Sequence, residues 1–202
     1  MKIKTVAALC KKHKRVIILE RTAAEANYVQ QYLSDGYGVY PVFGLPRLDK
    51  KTILTIFDIA AEEQERWHVS VIPAPTKWNL RDDDTRETLV EHRYNPIVHT
   101  GRTIQPVEAP CGTVFLNASY LDPVQDVKDL QLYVRETAYG EPYFAVKSGL
   151  MLQAVIMPVN VVNETFIEEQ REMLRGCERV LDRGIAEVSE LLDREADANA
   201  DR

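Results

Sequence analysis

The residues with the greatest chemical capacity are four histidines, a run of carboxylates and three cysteines. His13, His68, His92 and His99 are widely spaced, and neither Cys-x-x-Cys nor His-Glu-x-x-His occurs. Zinc needs several nitrogen, sulfur or carboxylate ligands in close approach, so no metal site is expected. The histidines read instead as polar surface or satisfied core residues. Asp82, Asp83, Asp84, Glu87 and Glu91 could supply metal-binding or acid–base carboxylates. An unrecognised enzyme using the 82–99 loop is therefore one reading; the other is a solvated turn and helix start. Cys111, beside Gly112, is the cysteine best placed for exposure, and no base is paired with it in sequence. There is no Gly-x-Ser-x-Gly elbow, no Gly-x-x-x-x-Gly-Lys phosphate loop and no Gly-x-Gly-x-x-Gly fingerprint. No catalytic residue is assigned, no cofactor is expected, and a non-enzymatic binding role leads.

Charge supplies the second signal. Residues 1–15 carry six basic side chains, Lys2, Lys4, Lys11, Lys12, Lys14 and Arg15, and no acidic one. The whole chain has a formal net charge of −6, whereas a general nucleic-acid binder is usually basic overall. If nucleic acid binds, Lys4, Lys11, Lys12, Lys14 and Arg15 are its candidate phosphate contacts; the alternative is a solvated basic helix end. No apolar stretch reaches the ~20 residues of a membrane span, and no secretory signal is expected. Three widely separated cysteines fit a reducing cytoplasm.

The elements that must position these residues follow from periodicity. Val6, Leu9, Cys10 and His13 share one helical face over Thr5–Lys14. Arg15–Glu20 reads as a buried strand, and Asn27–Leu33 and Tyr37–Val42 flank a hairpin turn at Ser34-Asp35-Gly36. Asp49–Ile59 reads as a helix and Trp67–Ile72 as a strand. Residues 73–92 form a surface excursion in which Asp84 could cap a helix, with Glu87 three residues on. Strands are expected at Ile97–His99, Thr103–Val107 and Thr113–Leu116, then a short helix from Ser119 to Asp129. Three further strands follow, Leu130–Glu136, Tyr143–Lys147 and Leu152–Val159. Asn163 is a good cap for a helix running to about Glu195. The strand, Leu-Asp pair and helix of Val39–Ile59 recur at Thr113–Asp129, a faint internal repeat.

The stretch Val114–Asp122, then Leu130–Arg135, then Leu152-Gln153-Ala154-Val155-Ile156-Met157-Pro158-Val159 resembles the last half-domain of DNA polymerase sliding clamps. The resemblance implies a single clamp-like domain made of two β-α-β-β-β halves, within an α+β fold of antiparallel sheets and short helices. It implies a setting in replication or mobile-element machinery. It also implies a peptide-capturing apolar pocket at Val155, Met157, Pro158 and Val159. Asp122, Asp126 and Asp129 place like charge against phosphate, so the second helix is not expected to face DNA.

The expected domain covers residues 1–162, with a C-terminal helix and frayed tail at 163–202. That helix, about 30 residues and about 45 Å long at ~1.5 Å per residue, carries Ile167, Leu174, Leu181 and Val188 every seven residues. The companion seam, Gln170, Cys177, Gly184 and Leu191, is less apolar. A protein partner or self-association through the first seam is one reading, packing on the chain's own sheet the other.

Overall fold

A computed structural model describes residues 1–22, 28–91 and 93–200, with 185–200 given as helical backbone alone. His92, Asn27 and the side chains of Val188 and Leu191 lie outside the described residues. The chain divides into two compact units, Met1–Asn160 and Val161–Arg202.

The first unit begins with α1 (Ile3–His13), which buries Val6, Ala7, Leu9 and Cys10. His13, expected on that face, is exposed. Lys11, Lys12 and His13 fill the last turn, where cations complement the helix dipole. The helix stops at Lys14, whose φ of 47° is left-handed. A meander follows: β1 (Arg15–Thr22), β2 (Val29–Ser34) and β3 (Gly38–Pro41), paired antiparallel. Its β2–β3 turn is held by side chains. Asp35 Oδ1 accepts from the Tyr37 and Gly38 N–H groups at 2.9 and 3.0 Å, and Gly36 takes a φ of 109°. Next comes α2 (Lys50–Ile56), capped by Asp49, which accepts from the Thr52 N–H at 2.7 Å. Then β4 (His68–Pro73) returns beside β1, parallel to it. This pair is the exception to the expected antiparallel pairing. The chain passes through α2 and a 3-10 turn (Ala61–Arg66) before re-entering the sheet in the direction of β1.

The excursion after β4 touches the sheet again at β5 (Thr88–Leu89). A separate three-stranded antiparallel sheet contains β6 (Ile97–His99), β7 (Arg102–Ala109) and β8 (Gly112–Asn117). Two 3-10 turns, Ala118–Tyr120 and Asp122–Val124, replace the expected helix. Asn117 and Pro123 fit that tighter geometry, Asn117 Oδ1 accepting from the Ser119 N–H two residues on. A second meander closes the unit: β9 (Leu130–Glu136), β10 (Pro142–Ser148) and β11 (Met151–Ile156).

The large sheet runs β4-β1-β2-β3-β11-β10-β9-β5. Its centre is the antiparallel β3–β11 pair, Val39 opposite Val155 and Gly38 opposite Ile156. About that junction, α1-β1-β2-β3 corresponds to the turns at 118–124 followed by β9-β10-β11. The repeat displayed by the sheet thus begins at α1, not at Val39. The motif after β3 leads to β4 at the sheet's edge, so its match to Thr113–Asp129 is one of element order alone.

Both faces of the sheet are covered. On one, Val16, Ile18, Leu33, Tyr40, Leu132, Phe144 and Ile156 pack with α1, α2, Leu116 and Val124. Each such large apolar side chain contributes about 1.5–3 kcal/mol when fully buried. On the other, Ile17, Leu19, Tyr32, Val39, Tyr143 and Val155 pack with Leu80 and Trp78 of the excursion. The second unit is α3 (Glu164–Ala200), capped by Asn163, whose Oδ1 accepts from the Phe166 N–H at 2.9 Å. No helix among the described residues is long and apolar enough to cross a membrane.

Candidate functional site

The exit from β11 joins the two sheets. The Met157 N–H donates to the Tyr37 carbonyl in the β2–β3 turn, and the Val159 N–H donates to the Phe115 carbonyl in β8, both at 2.8 Å. Pro158, which has no N–H, sits between them. Backbone pairing changes partner at this proline, passing from the large sheet to the small one.

That crossover forms one wall of a cleft of ≈ 750 Å³. Met157, Pro158 and Val159 are half-buried along it, and Asn160 is exposed at its end. The facing walls come from Lys12 and His13 at the end of α1, Tyr37, the β6–β7 turn with Arg102, and Asn117–Tyr120. Three rings follow one another across the cleft. His13 lies 6.4 Å from Tyr37 and Tyr37 lies 6.4 Å from Tyr120, each pair tilted by about 50°.

Tyr120 is anchored from below. Its hydroxyl donates to Asp35 Oδ2 at 2.7 Å, and its carbonyl accepts from the Tyr40 hydroxyl at 2.8 Å. Burial, then the hydrogen bond and charge of Asp35, push the Tyr120 phenol well above its ordinary range. Burial does the same to Tyr40 and to the Cys10 thiol. Gly38 permits this closeness. A Cβ there would lie 2.7 Å from both Tyr120 Cδ1 and Tyr40 Oη. Lys12, His13 and Arg102 face the cleft against the carboxylate of Asp122, so its polar rim is predominantly basic.

The candidate residues separate clearly. Met157, Pro158 and Val159 line the cleft. Val155 does not: it is fully buried in the second core, while Met157, two residues on and on the same face, packs only partly against that core just beyond the end of the strand. Of the basic set, Lys12 lines the cleft, while Lys4, Lys11, Lys14 and Arg15 are exposed around the first helix and strand. Ile167, Leu174 and Leu181 are exposed on α3, the last two by 57% and 66%. Sequence reasoning missed Tyr37, Arg102 and His13 as cleft residues. Its usable signal was the Asp35-Gly36 turn, whose carboxylate proves to hold Tyr120.

The acidic loop has a different role. Asp84 does not cap a helix; its Oδ1 accepts from the Arg86 N–H only two residues on, in a turn. Asp82 Oδ1 accepts from the Leu152 N–H at 2.8 Å. Glu87 Oε2 accepts from Arg135 Nε and Nη2 at 2.9 and 2.5 Å, and Oε1 accepts from Lys147 Nζ at 2.6 Å. Arg135 is fully buried, and its remaining N–H groups donate to the carbonyls of Asn79, Arg81 and Asp82. These bonds strap residues 74–87 across the sheet. No group of three or more metal-ligating side chains is present among the described residues. The cysteines are unpaired, Cys10 buried and Cys111 and Cys177 exposed.

Comparison with known proteins gives no match to any family model, curated protein or solved structure.

Proposed function

We propose that this chain is a non-enzymatic binding module whose clamp-like domain holds a short peptide of a partner protein in the Met157–Asn160 cleft. The observation that carries this reading is the meeting of an apolar exit strand, an aromatic row and a basic rim around one ≈ 750 Å³ opening. Met157 suits such a site because its flexible, polarizable side chain accommodates varied contacts. The two meanders joined at β3–β11 support the clamp likeness. The setting, replication or mobile-element machinery, rests on that likeness alone. The acidic loop offers less to an enzyme, since Asp82 and Glu87 already bond the sheet.

The test is selection of random displayed peptides on the full-length chain, followed by binding of the selected peptides to a Met157→Lys variant. Peptides that bind the natural chain and lose at least about tenfold in affinity, with the melting temperature unchanged, support the cleft. Peptides indifferent to the substitution refute it. A melting temperature that collapses returns Met157 to the core.

A second reading, self-association through α3, is favoured by the exposed Ile167, Leu174 and Leu181 at heptad spacing. Mass in solution of the full-length chain separates it from the first.

A further inference from the structure

We propose that a groove along the strap is a binding site for a nucleotide unit, with its base on Trp78 and its phosphate among Lys77, Arg81 and Arg86. The cavity, ≈ 380 Å³, is bordered by Arg21, Lys77, Trp78, Arg81 and Arg86, against a single lining carboxylate, Glu136. In a chain with 25 basic and 31 acidic residues, four cations on one groove are a local inversion of charge. The volume is near the low end for small-molecule sites, ~300–1,000 Å³, and suits one nucleotide unit.

The floor is fixed. Leu80 is buried, and its carbonyl accepts from Arg21 Nη1 at 2.7 Å and from the Tyr32 hydroxyl at 2.9 Å. The Asn79 N–H donates to the Tyr143 hydroxyl at 2.9 Å, and Arg135 holds the carbonyls of Asn79 and Arg81. Trp78, between these anchors, is half-buried against the second core. Its ring is thus positioned before any ligand arrives, and the ordering cost of binding is correspondingly small.

The rim is exposed charge above that fixed floor. Lys77, Arg81 and Arg86 are exposed. Lys77 Nζ lies 4.9 Å from the centroid of the Trp78 ring, so the face it covers attracts positive charge. An exposed cation–π contact is weaker than stacking of a nucleic-acid base on an aromatic ring. A base therefore displaces the ammonium, which remains on its flexible stem to meet the phosphate. Arg81 and Arg86 present planar forks suited to two phosphate oxygens at once. The Arg86 guanidinium is 4.0 Å from Asp84, a distance that leaves it able to turn to a ligand.

The experiment titrates the full-length chain with AMP, with inorganic phosphate and with a short oligothymidylate, reading tryptophan emission and, in parallel, equilibrium dialysis. Trp67 is buried, so a change in emission reports Trp78. Saturable binding of AMP, at least about tenfold tighter than phosphate and weakened at least about tenfold in an Arg81→Glu, Arg86→Glu double variant, is the expected result. Trp78→Phe should lose the emission change and several-fold in affinity by dialysis. Oligothymidylate bound much more tightly than AMP identifies a single strand as the source; equal binding identifies free nucleotides. The proposal is overturned if neither nucleotide probe binds or if phosphate binds as well as AMP. It is also overturned if binding survives in the arginine double variant, or is lost only in Lys11→Glu, Lys12→Glu, Lys14→Glu. Unchanged melting of every variant is the control, and Lys77→Glu replaces the double variant if that one fails to fold.

Discussion

Replacing Glu87 by Ala tests the fastening of the strap most directly. Glu87 bonds two buried cations at once: the Arg135 side chain is 0% exposed and that of Lys147 is 7% exposed. Losing it strands both. Breaking a buried ion pair from one side costs about 3–5 kcal/mol, because the remaining charge keeps its desolvation penalty without its partner. For a protein of this size that loss corresponds to a fall in melting temperature of roughly 6–20 °C, at about 2–4 °C per kcal/mol. The exposed Arg47–Glu20 pair, with Arg47 69% exposed, is the internal comparison; Arg47→Ala should lower the melting temperature far less than Glu87→Ala does, because solvent screens an exposed pair. Thermal and urea unfolding followed by circular dichroism give the two values. Trypsin gives a second readout, since Lys77, Arg81 and Arg86 lie on the strap and should be cut faster in the Glu87 variant. Replacing Glu87, Arg135 and Lys147 together by apolar residues should not restore stability, because the carbonyls of Asn79, Arg81 and Asp82 then lose their donor. A Glu87→Ala loss below about 1 kcal/mol, with unchanged tryptic cleavage, would show that the strap is held by apolar packing alone.

Three further outcomes are expected. Gly38→Ala should destabilise by about 1–3 kcal/mol in urea unfolding, because its methyl group must displace Tyr120 and Tyr40. Stability should fall at alkaline pH: Cys10, Tyr40 and Tyr120 are held protonated in the fold, so their contribution is complete below the ordinary thiol and phenol values of 9.0 and 10.0. It is lost as the unfolded chain ionises above them; a pH series of urea midpoints with no alkaline decline would refute it. Leu174→Asp with Leu181→Asp should reduce the mass in solution to that of a monomer if α3 self-associates, measured by sedimentation on the full-length chain.

Much of the local chemistry is legible in the sequence, although Asp84 closes a turn and caps no helix, and 3-10 turns stand at 118–124 where a helix is expected. Asn163 caps the helix that follows it, and Asp35-Gly36 turns a hairpin, because each of these bonds spans three residues or fewer. Most strand positions followed from periodicity for the same reason. Where a residue's partner is distant in sequence, local pattern does not reveal the contact. By sequence Glu87 is a capping or solvated carboxylate, whereas the fold brings it to Arg135, 48 residues away. Asp35 meets Tyr120 across 85 residues, and that bond shapes the cleft. Val155 and Met157 look alike in sequence, but Val155 points into the second core while Met157 also lines the cleft. The parallel β1–β4 pair and the gathering of Arg21 with Lys77, Arg81 and Arg86 likewise have no local signature. Sequence determines which segments become helix or strand, since those forces act within a turn or two. Which charges are buried together, and which side chains border a cleft, is decided only when distant segments are packed and each buried polar group must find a partner.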